Sequence, residues 1–264
     1  MAQKLRWDRP KAYLDDILFR VQQDDSPWDG GDDYFTLYKD EKLIEQYEHF
    51  FAERPSFKAE RIFELGMWDG GSVVLWHEFF LPLKHVAIDL ADRADSPYFD
   101  KYIRSHGREG RVRTFWSTNQ GDAPRLRELL SAEFDGPLDL VLDDASHFYG
   151  PSRRSFEILF PALRPGGLYI IEDWAWAHWP EHWNMFANEI PLTKLIFDLV
   201  EAAGSSRDWI ARTTVFQGFT VIERGPATGP SDDWRLEDNV LTMPRRTIAR
   251  RALAKLRKSI RDAR

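Results

Sequence analysis

Residues 138–174 read LDLVLDDASHFYGPSRRSFEILFPALRPGGLYIIEDW, and this stretch decides the fold. Two apolar runs, Leu138–Leu142 and Leu168–Ile171, each end in carboxylates: Asp143-Asp144 after the first, Glu172-Asp173 after the second. Short apolar runs bounded by turn residues suit buried parallel strands. Between them, Phe156, Leu159, Phe160 and Leu163 share one helical face, so the spacing predicts a helix over residues 152–163. Strand, helix, strand forms a right-handed crossover that brings both carboxylate pairs to one edge of the sheet. In open α/β sheets that edge is where ligands bind.

Three of these carboxylates can converge on one cation, and an all-oxygen set suits magnesium, manganese or calcium rather than zinc or copper. His147 follows Asp144 by three residues, at the expected start of the next helix, where it could serve as a base. A plainer role exists for each pair alone. Asp143-Asp144 could cap a helix, and Glu172-Asp173 could solvate a strand end. Both pairs on one crossover, with a histidine between them, favour the cation site.

Working outward, residues 59–80 give the second signal. Arg61-Ile62-Phe63 reads as a strand, and Glu64-Leu65-Gly66-Met67-Trp68-Asp69-Gly70-Gly71-Ser72 as a glycine turn. A helix then begins with Val73, Val74 and Trp76. The acid-x-Gly-x-x-x-Gly spacing is neither a dinucleotide G-x-G-x-x-G nor a P-loop. His85–Asp89 is the next strand, and an acid at its end is placed for ribose hydroxyls. Glycine turn plus Asp89 predicts an adenosine-like ligand, with Glu64, Gly66, Gly70 and Ser72 around it. Arg111–Trp116 is a third strand. Beyond it Gln120 or Asp122 could reach an adenine amine, although Asp122 suits a helix N-cap better.

After the crossover, His178 and His182 have the spacing of paired helix ligands. Pro180 between them argues against a regular helix, so the segment reads as pocket wall. A helix is expected over 191–203. Ile210–Phe216 and Phe219–Ile222, joined by Gln217-Gly218, read as an antiparallel hairpin closing the sheet.

Residues 1–58 read as a helical segment: one amphipathic helix marked by Tyr13, Leu14, Ile17, Leu18 and Val21, another by Leu43, Ile44, Tyr47, Phe50 and Phe51 with Asp40 as N-cap. The intervening acidic stretch, with Trp28, Tyr34, Phe35 and Tyr38, reads as a loop and a candidate lid.

Among 264 residues there is no cysteine, which excludes a disulfide framework and a thiolate nucleophile or metal site, and fits a cytoplasmic enzyme. No apolar run approaches the ~20 residues of a membrane helix, so no stable membrane insertion is expected. The net charge of −7 hides an asymmetry. Residues 243–264 carry nine basic residues and one acid, a tail of +8 on a body of −15. An acidic body argues against nucleic acid as a partner. The tail, with Ile248, Ala252, Leu256 and Ile260 at helical spacing, is expected to form an arm. It could pack on a second protomer, cover an acidic patch, touch an anionic membrane, or remain solvated, and the first of these makes a homo-oligomer.

A seven-stranded, mostly parallel sheet ending in such a hairpin, with ELGMWDGGS after strand one and Asp89 on strand two, resembles the class I S-adenosylmethionine-dependent methyltransferases over about residues 59–224. The segments DDASH, PALRPGG and IIEDW resemble a narrower branch, the metal-dependent macrocin and mycinamicin type of sugar O-methyltransferase. The resemblance implies S-adenosylmethionine and Mg2+ as cofactors. It implies a cation held by Asp144, Glu172 and Asp173, His147 as general base, and Asp143 on the donor side. The acceptor would be a sugar hydroxyl of a glycoside, an oligosaccharide or a glycolipid precursor. Residues 1–58 and 225–264 carry no motif of this family and flank the domain as lid segment and basic arm. An NAD-dependent oxidoreductase, a Ser146/His147 hydrolase and a non-catalytic adenosine-ligand binder are the competing readings. The glycine spacing disfavours the first, and the absence of a G-x-S-x-G elbow disfavours the second.

Overall fold

The computed structural model describes residues 4–21, 33–205, 208–227 and 234–240. Four short strands open the chain: β1 (Arg6–Asp8), β2 (Lys11–Leu14), β3 (Ile17–Val21) and β4 (Phe35–Leu37). They form a small sheet in that order, antiparallel except for the β3–β4 pair. The helix expected from Tyr13 to Val21 is therefore a hairpin. Leu14 pairs with Ile17, and Asp15, at φ 51, turns the chain with Asp16. Asp tolerates that left-handed backbone better than most residues. Ala12 and Leu14, then Ile17, Phe19 and Val21, alternate inward on either side of the turn. That is the period of a strand, which the helical count had concealed. The second expected helix is present as α1 (Glu41–Ala52), and Asp40 caps it by accepting from the Leu43 N–H at 2.8 Å.

The main sheet runs through β5 (Arg61–Leu65), α2 (Gly71–Phe80), β6 (Lys84–Ile88), α3 (Pro97–Ser105), β7 (Val112–Phe115), α4 (Ala123–Glu133), β8 (Leu138–Asp143), α5 (Tyr149–Leu159) and β9 (Leu163–Glu172). The short α6 (Trp183–Phe186) and then α7 (Thr193–Ala203) lead to the hairpin of β10 (Ile210–Val215) and β11 (Phe219–Arg224). The seven strands lie in the order β10-β11-β9-β8-β5-β6-β7. All neighbours are parallel except those of β11, which runs against both β9 and β10. This is the α/β sheet with an antiparallel last strand that the sequence predicts.

Successive strand residues face opposite sides, so the sheet builds two cores. One face carries Leu140, Leu142 and Ile170 against α1, α2, α3 and the N-terminal sheet. The other carries Val141, Tyr169 and Ile171 against α4, α5 and α7. Trp234 and Leu236 also pack there, on the far side from the small sheet. All six residues of β8 are buried, as a central parallel strand requires.

Strand order reverses between β5 and β8, where the chain leaves in one direction to β6 and β7 and in the other to β9. At such a switch point the two crossovers diverge and leave a crevice at the carboxyl ends of the strands. The basic tail 243–264 and the Trp28 end of the candidate lid lie outside the described residues. Among the described residues no helix is long and apolar enough to cross a membrane.

Candidate functional site

Register places the carboxylates. Asp143 pairs with Ile171 across β8 and β9, so Asp144 and Glu172 leave the sheet as neighbours. On the other side Glu172 pairs with Phe219, and the Asp173 N–H donates to Gly218 O at 2.9 Å. Two residues of the cluster take left-handed backbone, Asp173 at φ 53 and His147 at φ 57. Such strain concentrates where surrounding structure fixes a side chain for use. Asp144, His147 and Asp173 each present a ligand atom, and these atoms lie within 4.8 Å of one another. His147 stands just ahead of α5 rather than inside it, with Phe148 as the cap residue.

Glu172 is 2% exposed and both its oxygens are engaged: Oε1 accepts from the Tyr47 hydroxyl at 2.8 Å, Oε2 from Lys39 Nζ at 2.6 Å. Lys39 Nζ also donates to Asp144 Oδ2 at 2.8 Å. Burial alone would lower the lysine pKa, but Asp144 and Glu172 reverse that and raise it, so it is an ammonium. Burial, then Asp144, pushes the Glu172 carboxyl up, against Lys39 and Tyr47, which favour the charged form. Asp173 is likewise raised by burial, Asp144 and Glu172. Three carboxylates face the one ammonium of Lys39, and their mutual repulsion is part of what raises Glu172 and Asp173. A dense set of oxygen donors fits a hard divalent cation.

His147 is lowered by burial, with Asp144 partly opposing, so its imidazole is neutral near pH 7. Its ring lies 4.4 Å from that of Trp176, which in turn stacks on His182 at 4.5 Å. His178 instead hydrogen-bonds Thr193 Oγ1 at 2.7 Å. The paired histidines are therefore not a ligand pair, and the segment forms wall beside His147, as Pro180 implied. Trp179, Trp183, Met185 and Ile190 are exposed on the same segment.

Asp143 is separated from its neighbour. It points into the second core, where Gln120 Nε2 donates at 3.0 Å, the Tyr169 hydroxyl at 3.0 Å and the Ser155 hydroxyl at 3.3 Å. Burial pushes its carboxyl up to about 7, with those three donors pulling the other way. Gln120 also accepts from the Ser146 N–H at 2.8 Å, so it braces the segment that carries His147. Both were expected around the donor, and here both are struts under the site. Asp122 caps α4, accepting from the Arg125 N–H at 3.1 Å.

The glycine turn sits at the ends of β5 and β6. Asp89 Oδ2 accepts from the Met67 and Trp68 N–H groups, each at 2.9 Å, and Oδ1 from Ala91 N–H at 2.8 Å. Asp89 thereby shapes the turn while remaining part-exposed. Glu64 is buried, accepting from Ser72 Oγ and pairing with His85 Nε2 at 2.9 Å. Gly66, at φ +84, has no room for a Cβ: one would meet Asp144 O at 2.2 Å. Gly70 (φ +91) abuts the Phe99 ring, and Gly71 abuts Thr36 O. The Thr36 N–H donates to Asp69 Oδ2 at 2.7 Å, and Tyr38 packs on Trp68, so the N-terminal segment lies over the turn. Its Phe35–Leu37 part is a strand rather than a loop.

Lys39 and Tyr47 were not legible as site residues. Asp144 lies 105 residues beyond the lysine and Glu172 125 beyond the tyrosine, and neither sits in a local motif.

Residues 63–174 match a family model described as a methyltransferase domain, and the fold and switch-point site agree with that match. More narrowly, the chain resembles antibiotic-sugar O-methyltransferases. It is 39% identical over 127 residues to mycinamicin VI 2''-O-methyltransferase of Micromonospora griseorubida, covering 46% of this chain and 28% of that protein. It is 37% identical over 141 residues to demethylmacrocin O-methyltransferase of Streptomyces fradiae, covering 51% and 32%. Among solved structures, the MycE methyltransferase from the mycinamycin biosynthetic pathway, in complex with Mg, SAH and mycinamycin VI, superposes with a TM-score of 0.52. There the identity is 28%, covering 76% of this chain and 51% of that one. The chain thus spans about a third of the length of the first two relatives and half of the third.

Proposed function

We propose that this chain transfers a methyl group from S-adenosylmethionine to a sugar hydroxyl of a small glycoside, with Mg2+ held by Asp144, Glu172 and Asp173. What supports this reading is the convergence of Asp144, Asp173 and His147 at the switch point, with Glu172 joined to Asp144 through Lys39. Relatives whose names print a rhamnosyl or olivosyl group support the acceptor class.

A sugar hydroxyl is almost fully protonated at neutral pH and is a poor nucleophile. A divalent cation beside it supplies the lowering of its pKa. His147, kept neutral by burial, takes the proton on a ring nitrogen as the hydroxyl oxygen attacks the methyl carbon. The new O–C bond forms as the S–C bond of the sulfonium breaks, and S-adenosylhomocysteine leaves. Positive charge on sulfur is neutralised in that step, so no oxyanion hole is needed. Trp176 holds the His147 ring in place, and Gln120 holds the Ser146 backbone beneath it. Placement of this kind contributes through orientation. We assign the glycine turn 66–71 and Asp89, at the carboxyl ends of the strands, to the carboxypropyl and ribose groups of the donor. Trp176 lies against the base, and the exposed Trp179 and Trp183 on the same segment are our candidates to shelter the acceptor from water.

The test is transfer of a labelled methyl group across a panel of glycosides, with Mg2+ and with EDTA. Product with Mg2+ and its loss in EDTA is expected, as is loss in Asp144→Asn with donor binding retained. Full turnover in EDTA contradicts the proposal.

A further inference from the structure

We infer that Lys39 is an internal competitor for the divalent cation, and that cation binding requires its ammonium to withdraw. This rests on the proposed cation site. Nζ stands 2.8 Å from Asp144 Oδ2 and 2.6 Å from Glu172 Oε2, so it bridges two of the three carboxylates assigned to the cation. A magnesium ion bonds oxygen at about 2.0–2.1 Å. An ion sharing those same two oxygens would lie closer to Nζ than two cations tolerate.

The lysine is not a surface residue that strayed inward. It is 3% exposed, set between the end of β4 and the Asp40 cap of α1, with Nζ 6.0 Å from the Trp76 ring. Tyr47 from α1 holds the other Glu172 oxygen, so the carboxylate is oriented toward the ammonium. A buried ion pair costs desolvation and contributes little net stability, so it is best attested where it serves specificity or a switch. Here one positive charge faces three carboxylates, and a doubly charged ion is the better counter-charge. Asp173 and the second oxygen of Asp144 are free of Lys39 and form the face on which the ion first lands. Exchange at Glu172 follows, and the ammonium leaves along its own flexible stem. Lys39 thereby sets the cation affinity and keeps the carboxylates paired until an ion arrives.

The experiment is Mn2+ binding followed by electron paramagnetic resonance, with neither donor nor acceptor present. Lys39→Met, which keeps the length and apolar bulk of the stem, is expected to bind Mn2+ at least about tenfold tighter, because one unit charge beside the ion is removed. Lys39→Arg, which keeps the charge, should stay near the native affinity. Equal or weaker binding by Lys39→Met, with native protein binding normally, overturns the competition and leaves the cation site standing. Absence of binding by the native protein, or binding unaffected by Asp144→Asn, overturns both. Should Lys39→Met not fold, acylation of Lys39 in native protein, read by mass spectrometry, gives the same decision. Faster modification on Mn2+ saturation supports withdrawal, and an unchanged rate overturns it.

Discussion

The base role proposed for His147 rests on one ring contact and on burial. Trp176 fixes the ring, and burial keeps it unprotonated near neutral pH. Removing a positioned base costs methyl transfer about 10²–10⁴-fold. His147→Ala should lose rate in that range in single-turnover assays while donor affinity by calorimetry holds. A rate within twofold of native would remove the residue from that role. A second histidine makes a different point. His77 is fully buried in α2, its two ring nitrogens have no partner among the described residues, and its ring lies parallel to that of His85 at 6.2 Å. Burial, then His85, lowers its pKa to about 3 from an ordinary 6.5. Between those values the unfolded chain binds a proton that the folded chain refuses. The contribution is therefore intact above pH ~6.5 and is lost as pH falls toward ~3. His77→Leu should flatten that part of the stability curve, measured by urea unfolding at a series of pH values. A slope identical to native would show that His77 is not its source.

At the scale of elements, tight approach of strand ends builds the site. Gly66 follows β5 so closely against the residues after β8 that a methyl group has no place. Gly66→Ala pairs a left-handed backbone with a clash on the Asp144 carbonyl. It should cost about 2–4 kcal/mol, or leave the protein unfolded. Thermal melting checks this, and an unchanged midpoint would mean that the β5 and β8 ends can part freely. The same elements explain what the sequence disclosed. Seven strands and the carboxylates at their ends were readable because apolar runs stop abruptly at acids and glycines. The hairpin of β2 and β3 was not, because Tyr13, Leu14, Ile17, Leu18 and Val21 satisfy a helical count as well as a strand one. Only the Asp15-Asp16 turn separates the two. Asp143 and Asp144 are neighbours in sequence, yet they face a buried strut and an open site respectively. Period-two geometry implies that divergence, and only the structure shows which faces which.

Across the whole molecule, the N-terminal sheet and α1 belong to the site although no motif marks them. They deliver Lys39 and Tyr47 to Glu172, and Thr36 and Tyr38 to the glycine turn. Long-range contacts of this kind leave no local trace, since any lysine or tyrosine in a helix approach reads alike. In the proposed mechanism the tips of β8 and β9 grip one hard ion beside the methyl donor. It is tested most directly by the anomalous map of a crystal soaked with Mn2+ and S-adenosylhomocysteine. One peak is expected at roughly 2.0–2.2 Å from oxygens of Asp144, Glu172 and Asp173, with His147 facing the space between ion and donor. A map with donor bound over the glycine turn and no peak among those carboxylates would contradict it.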